Sequence, residues 1–215
     1  MKINKPFVSK FFSNKSSRHR KNLEKQLKNI VAFGNVLDIG GAQKPILNRL
    51  SSVGQITRYE ILDLPNPHNN SDQVVDFPIN IETKLHDEAF CQIKKNAYDF
   101  IFCIEVSLYW SDPAQAMANI ANSMVNNSTL YINFHSNYAI QKPYGSDRLR
   151  YTYDAIESYC DENGLIIENV ILTKVNFISM IALNIFWKSE KMRRNKRYQY
   201  SYVSSFLFKL KKQEN

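Results

Sequence analysis

A chain of 215 residues is long enough for one domain with a sizeable core and too short for two well-separated ones. Its residues are 44% hydrophobic and 22% charged, which excludes a disordered or fibrous protein. The 28 basic side chains outnumber the 20 acidic ones, so the net charge of +8 makes a nucleic acid, a membrane surface or an anionic substrate a candidate partner.

Cysteine usage and apolar runs indicate the compartment. The three cysteines, Cys91, Cys103 and Cys160, are odd in number and lack metal-ligand spacing, so they predict buried thiols in a reducing compartment and no metal site. The first 21 residues contain no unbroken apolar stretch of the kind that a secretory signal needs. The longest apolar run, residues 177–187, is shorter than the roughly 20 residues of a membrane-spanning helix. We expect a cytoplasmic protein.

The first 30 residues are rich in lysine and arginine and contain no acid before Glu24. Leu23, Leu27 and Ile30 recur at helical spacing. They predict a basic N-terminal helical extension over residues 1–33, ahead of a domain over residues 34–215. A helix packed beside the sheet with a solvated basic face is the plainer interpretation of this charge run.

From residue 35 onward, strand-like and helix-like segments alternate. Asp112 and Pro113 form an N-cap and first-turn pair, followed by apolar residues four apart at Ala116, Ile120 and Met124. This alternation predicts right-handed βαβ units and a mostly parallel sheet. Strands are predicted at residues 35–39, 56–62, 73–76, 98–104, 129–134, 166–174 and 199–209, and further helices at residues 86–95 and 152–163.

The turn after the first predicted strand contains the only adjacent glycine pair, Gly40 and Gly41, in a chain with six glycines. Glycines at that position let the backbone approach a ligand, and amides at the next helix start favour polar or anionic groups. The residues around the pair fit neither a GxxxxGK[ST] phosphate loop nor a GxGxxG dinucleotide loop. The pair therefore indicates a ligand site of another type.

Acidic residues end four consecutive predicted strands. Asp63 lies 23 residues after Gly40, close to the spacing of about 20 at which a carboxylate binds ribose hydroxyls in nucleotide-binding sheets. Asp76 would accept a hydrogen bond from an adenine amino group, and Phe77 would stack on the ring. Taken singly, each acid is more simply a loop acid or a helix cap. The four together are Asp38, Asp63, Asp76 and Glu105.

In these motifs the chain resembles the class I S-adenosylmethionine-dependent methyltransferases. Residues 36–42, Val-Leu-Asp-Ile-Gly-Gly-Ala, resemble the first motif of that family, and residues 98–106 resemble its fourth-strand motif. Residues 147–152, with the helix and Glu-Asn-Gly-Leu at 162–165, are similar to a stretch common in the bacterial small-molecule and sugar-modifying branch. The resemblance covers about residues 35–174 and the closing strand.

The resemblance implies a Rossmann-like sheet of seven mostly parallel strands, with helices on both faces and an antiparallel last strand. It also implies S-adenosylmethionine as cofactor. Three positions depart from the pattern: Ala42 replaces a glycine, Leu108 and Tyr109 replace a glutamate and a histidine, and residues 126–128 replace a glycine pair with asparagines that still adopt the turn. The residues expected to bind the cofactor are Asp38, Gly40, Gly41, Ala42, Asp63, Leu64, Asp76, Phe77 and Glu105.

Catalytic and acceptor-binding candidates lie beyond the fourth and fifth strands. His135 follows the fifth strand and is a candidate general base, because its intrinsic pKa lies near neutrality; a packing role at the strand end is the alternative. Tyr109 is the second catalytic candidate. The expected substrate-binding residues are Asp112, Asp147, Arg148 and Arg150, although either arginine could instead pin its loop by pairing with Asp147 or Asp154.

Residues 175–197 combine an apolar half with a strongly basic one. They predict a lid over the acceptor site or a contact with anionic lipid at the inner membrane face, and a buried helix with a solvated basic end is the plainer alternative.

The expected function is methyl transfer to oxygen of a small-molecule or glycan acceptor, including a lipid-linked one, as in polysaccharide biosynthesis. A basic RNA-binding methyltransferase or an inactive scaffold is the alternative; nucleic acid is less expected, because few aromatic residues interleave with the basic ones.

Overall fold

The computed structural model describes residues 18–65, 74–84, 95–138, 141, 146–174 and 203–214. Most of the helix predicted at residues 86–95, and all of the segment at residues 175–197, lie outside the described residues. Two short 3-10 helices occupy Ile46–Arg49 and Ser107–Tyr109. The remaining elements are α1 (Arg18–Leu27), β1 (Val31–Ile39), β2 (Ser52–Asp63), β3 (Phe77–Pro78), β4 (Tyr98–Cys103), α2 (Pro113–Ser123), β5 (Met124–His135), α3 (Tyr153–Glu162), β6 (Leu165–Lys174) and β7 (Val203–Lys212).

The seven strands form one sheet in the order β3-β2-β1-β4-β5-β7-β6. The pairs from β3 to β5 are parallel, and β7 is antiparallel to both β5 and β6. The strand order reverses between β1 and β4, and in open sheets of this type a ligand binds at the carboxyl ends of the strands beside that reversal. This topology confirms the predicted fold.

Helices cover both faces of the sheet, because buried strands alternate their side chains between two cores. In β4, Phe100 and Phe102 belong to a cluster with Leu23 and Leu27 of α1. Residues Ile101 and Cys103 of the same strand belong to the cluster that contains α2 and α3. The α1 helix therefore packs on one face of the sheet. The expected boundary between the N-terminal extension and the domain, between residues 33 and 34, falls inside β1.

The strands β1, β2 and β5 begin before the predicted residues 35, 56 and 129, and two further elements differ in kind. Asp76 precedes β3 instead of ending a strand at residues 73–76, because the pairing with β2 begins only at Phe77. Met124 is the C-cap of α2 and the first residue of β5, not part of the helix. The turn expected at residues 126–128 before the fifth strand lies inside β5, where Asn127 has a φ of +63°, a backbone conformation that asparagine tolerates.

Cys103 and Cys160 are buried free thiols, as predicted, and burial raises the pKa of each; Cys91 lies outside the described residues. No described helix has both the length and the apolar character needed to cross a membrane.

Candidate functional site

A cavity of about 1000 Å³ opens at the carboxyl ends of β1, β2, β4 and β5. Its volume lies at the upper end of the roughly 300–1000 Å³ typical of ligand pockets. The structure brings the following predicted site residues to its walls: Asp38, Gly40, Asp63, Leu64, Glu105, Tyr109, His135 and Arg148.

The turn at the glycine pair is tightly packed, and Gly40 lines the cavity. Gly40 has a φ of +77°, and its amide donates to the carbonyl of Leu62 at 2.7 Å. A Cβ at Gly40 would overlap Val106, and one at Gly41 would overlap the Asp38 carboxylate, both well under 3.0 Å. Only glycine fits these two positions without displacing a neighbour. Gly41 itself lies behind the wall instead of lining the cavity.

Asp38 braces this turn from the end of β1. Its Oδ2 accepts hydrogen bonds from the Tyr59 hydroxyl and the Ile46 amide, both at 2.6 Å. The side chain is 3% exposed, and burial raises its pKa to about 6 despite these two hydrogen bonds. Asp38 therefore reaches the cavity as a carboxylate whose charge is poorly solvated.

Asp63 connects the glycine turn to the end of β2. Its Oδ2 accepts from the Ala42 amide at 3.0 Å, and its Oδ1 accepts from the Leu64 amide at 2.8 Å. Since a carboxylate has about four acceptor sites, each oxygen keeps capacity for a ligand hydroxyl. Ala42 is fully buried and does not line the cavity, so its methyl group leaves the cleft open.

The structure does not bring Asp76 and Phe77 into the cavity wall. Asp76 Oδ2 accepts from the Ile61 amide at 2.7 Å, and Phe77 packs against the core. The wall beyond β3 is built from residues 79–82 instead. The reason is that β3 starts at Phe77, so the residues that leave the carboxyl end of the strand come later than the sequence predicted.

An ion-pair network joins α1 to the cavity, and the sequence pattern did not predict it. Arg20 pairs with Glu105 at 2.9 Å. Glu24 pairs with Lys44 at 2.5 Å and with Arg49 at 3.1 Å. All three basic residues line the cavity. The basic N-terminal stretch was the available signal, but its partners lie 20 to 85 residues away along the chain.

Glu105 has a φ of +65°, a conformation that costs energy for a residue other than glycine. Its amide donates to Asn133 Oδ1 on the neighbouring strand at 2.5 Å, which holds this turn beside Gly40. Strain of this kind is typical of binding sites, because the surrounding contacts must enforce it.

His135 ends β5 and is 1% exposed. Its ring centroid lies 4.9 Å from that of His19 on α1 and 4.8 Å from that of Tyr138. Burial, together with the His19 and Arg150 charges, lowers its pKa to about 3, and Asp147 opposes that shift. The imidazole is therefore neutral at physiological pH and is a weaker base than the sequence indicated.

The His135 shift predicts a pH-dependent stability. Because an unfolded histidine binds a proton near pH 6.5 and the folded one only near pH 3, the free energy of unfolding should fall as pH drops below about 6.5. Relative to His135→Gln, the wild type should lose roughly 2 kcal/mol between pH 7.5 and pH 5. Urea unfolding of both proteins at the two pH values measures this difference. Equal losses in the two proteins would contradict it.

Three of the four predicted acceptor residues have structural partners outside the cavity. Asp112 caps α2 by accepting from the Gln115 amide at 3.0 Å. Arg150 forms a two-pronged pair with Asp147, at 2.5 and 2.8 Å, and Asp147 also accepts from the Gln141 amide. The alternative role of pinning the loop thus applies to Arg150 and Asp147.

Arg148 and Tyr109 remain at the cavity wall. Tyr109 is half-buried, and burial together with Asp147 and Glu105 raises its pKa, so its phenol keeps its proton at neutral pH. A further wall residue, Glu82, accepts from the amides of Ser111 and Asp112 and was not predicted. Among the described residues there is no cluster of three side chains able to hold a metal ion.

A parallel sheet in this order, with a glycine turn after β1 and a carboxylate after β2, defines a Rossmann-like domain that binds a nucleotide-containing cofactor. The model of a methyltransferase domain family matches residues 11–170. A search of curated proteins finds no match.

Solved structures share the fold at low sequence identity. A putative methyltransferase from Bacillus halodurans is 14% identical with a TM-score of 0.55, covering 90% of this chain and 98% of that one. A chain from the complex between the Haloferax volcanii Trm112 methyltransferase activator and a putative methyltransferase is 15% identical with a TM-score of 0.58, covering 91% and 90%. An S-adenosylmethionine-dependent methyltransferase from Mesorhizobium loti is 11% identical with a TM-score of 0.55, covering 89% and 96%.

The family match spans well over half of the chain, so the chain belongs to the methyltransferase domain family, whose cofactor is S-adenosylmethionine.

Proposed function

We propose that this methyltransferase transfers a methyl group to an oxygen atom of a small-molecule or glycan acceptor, including a lipid-linked one. The observation that carries the proposal is one continuous cavity, with Asp38, Gly40 and Asp63 at one part of its wall and Tyr109, His135 and Arg148 at another. A cofactor and an acceptor both fit such a cavity, because it is at the upper end of the size range for ligand pockets.

The residues at the first part of the wall suit the cofactor. Gly40 lines the cavity and packs so closely on Val106 that no larger side chain fits there, and Asp63 keeps acceptor capacity for a ribose diol. S-adenosylmethionine supplies an electrophilic methyl group bound to a positively charged sulfur. Asp38 and Asp63, which form no ion pair among the described residues, give this part of the cavity a negative charge that favours a cationic ligand.

The second part of the wall suits an oxygen acceptor. His135 is neutral, so it can accept a hydrogen bond from an acceptor hydroxyl. A base with a pKa of about 3 is sufficient if the acceptor hydroxyl loses its proton late in the methyl transfer. The reason is that the hydroxyl becomes strongly acidic as its oxygen gains a methyl group. Tyr109 keeps its proton and would donate to the acceptor. The turn after β4, Ile-Glu-Val-Ser at residues 104–107, lacks the Asn-Pro-Pro-Tyr motif of adenine amino methylation.

Isothermal titration calorimetry with S-adenosylmethionine and S-adenosylhomocysteine tests the cofactor assignment. We expect micromolar binding of both, weakened at least about tenfold in Asp63→Asn, or about 1.4 kcal/mol, because the amide loses the charge and half of the acceptor sites. Asp161→Asn, a change of the same chemistry on the exposed side of α3, is the matched control and should bind as the wild type does.

Absence of heat with both ligands would refute the enzyme proposal and favour a scaffold. RNA binding that weakens steeply with salt would favour the RNA-binding alternative. A cytoplasmic location with contact to an anionic membrane surface through residues 175–197 remains part of this proposal, and sedimentation with anionic vesicles tests it.

A further inference from the structure

Among the described residues, four arginine or lysine side chains line the cavity, and three of them form ion pairs with two shared carboxylates, Glu24 and Glu105. Arg20 pairs with Glu105 at 2.9 Å, and Lys44 pairs with Glu24 at 2.5 Å. Arg49 lies 3.1 Å from Glu24 and 3.9 Å from Glu105. The fourth is Arg148.

Arg148 has no carboxylate partner within the part of the chain that the structure describes. Its guanidinium donates to the hydroxyl of Ser111, a neutral group that also lines the cavity. The backbone holds it there, because the amides of Arg148 and Leu149 both donate to the carbonyl of Leu108, at 2.8 and 3.2 Å. A fixed, exposed guanidinium thus projects from the cavity wall with most of its five donors unused.

Two acids are candidates to pair with Arg148: Glu82, which shares Ser111 as a hydrogen-bond partner, and Asp147, the preceding residue in the chain. Both are engaged by other groups. Glu82 Oε1 accepts from the amides of Ser111 and Asp112, and its Oε2 accepts from Asn80 at 3.3 Å. Asp147 is held by Arg150 through both oxygens. Neither acid is placed to neutralise Arg148, so the positive charge at this part of the wall is available to a ligand.

We propose that Arg148 binds an anionic group of the methyl acceptor, either a phosphate or a carboxylate. This inference rests on the proposed function and narrows its acceptor to negatively charged molecules. The planar fork of an arginine matches two oxygens of either group and forms the strong, charge-assisted type of hydrogen bond. Ser111, which contacts Arg148, also lines the cavity, as do Ser146 and Gln141, so neutral hydrogen-bonding groups are available to such an acceptor.

The test uses the full-length protein saturated with S-adenosylhomocysteine and titrated with inorganic phosphate or acetate at constant ionic strength. Constant ionic strength removes general screening effects. Calorimetry or chemical-shift changes should show saturable binding, weakened about tenfold or more in Arg148→Gln and less in Arg148→Lys, which keeps the charge but not the fork. Lys28→Gln removes one exposed positive charge outside the cavity and should bind as the wild type does.

Tighter binding of phosphate than of acetate would identify a phosphorylated acceptor, and the reverse order a carboxylated one. Non-saturable binding, or equal affinity in wild type and Arg148→Gln, would overturn the proposal. Binding of S-adenosylhomocysteine is measured in the same samples. If it persists while the anion fails to bind, only the anionic-acceptor inference is wrong; if it is absent, the methyltransferase proposal itself fails.

Discussion

Replacing Gly40 with alanine should lower the free energy of unfolding by about 2–5 kcal/mol and abolish measurable cofactor binding. The left-handed backbone, with φ +77°, costs an alanine roughly 1–2 kcal/mol. The added Cβ would also overlap Val106 Cγ2, and overpacking of that kind costs typically 1–3 kcal/mol. Relief of the overlap moves either Val106 or the glycine turn, and both line the cavity. Urea unfolding and calorimetry measure the two effects.

Gly164→Ala is the matched control. Gly164 has a φ of +62°, but a Cβ there would meet nothing within 4 Å, so only the backbone cost of roughly 1–2 kcal/mol should remain. Val106→Ala in the Gly40→Ala background removes the overlapping methyl and should recover part of the loss, with a coupling energy of about 0.5–3 kcal/mol. Equal destabilisation by the two glycine substitutions would show that Val106 exerts no steric constraint on the turn.

Asp38→Asn should change stability and cofactor affinity in opposite directions. Burial raises the pKa of Asp38 to about 6, so ionised Asp38 destabilises the folded state above that pH. The contribution of Asp38 to the free energy of unfolding is fully present below pH 3.8, which is the pKa of the residue in the unfolded chain. That contribution is lost as the pH rises through 6. The neutral amide avoids this loss, and its oxygen can still accept from Tyr59 and Ile46.

We therefore expect Asp38→Asn to be more stable than the wild type at pH 7.5 by up to about 3 kcal/mol, with a smaller difference at pH 5. Binding of S-adenosylmethionine should weaken at least about tenfold, because the negative charge beside the glycine turn is lost. Urea unfolding at both pH values and calorimetry at pH 7.5 give the two numbers. A variant that is less stable at pH 7.5, or that binds the cofactor normally, would contradict this account.

Elements with strong local signals could be predicted from the sequence. The strand predicted at residues 98–104 is β4, Tyr98–Cys103. A short, nearly continuous apolar run is typical of a parallel strand whose two faces are both covered. The first turn of α2 follows from Asp112 and Pro113, whose capping bond to Gln115 is observed. Asp76 was misplaced because an edge strand of two residues leaves almost no pattern to detect.

The sequence alone also indicated where the cavity would lie, but not how its charges are distributed. Asp147, Arg148 and Arg150 are neighbours in the chain and are equivalent as a pattern. In the structure Asp147 forms an ion pair with Arg150, and Arg148 lies at the cavity wall. Likewise, the sequence suggested that His135 titrates near neutral pH. In the fold, burial and the charge of His19, 116 positions away in the chain, lower the pKa of His135.

What the sequence determined by itself is therefore the alternation of strands and helices, the glycine turn at Gly40 and the acids near the strand ends, because each depends on neighbours within one element or one turn. The tertiary structure alone decided which of those acids reach the cavity, that Arg148 has no carboxylate partner among the described residues, and which protonation state His135 holds. Desolvation and charge pairing depend on distances between side chains far apart in the chain, and only the packed sheet and helices set those distances.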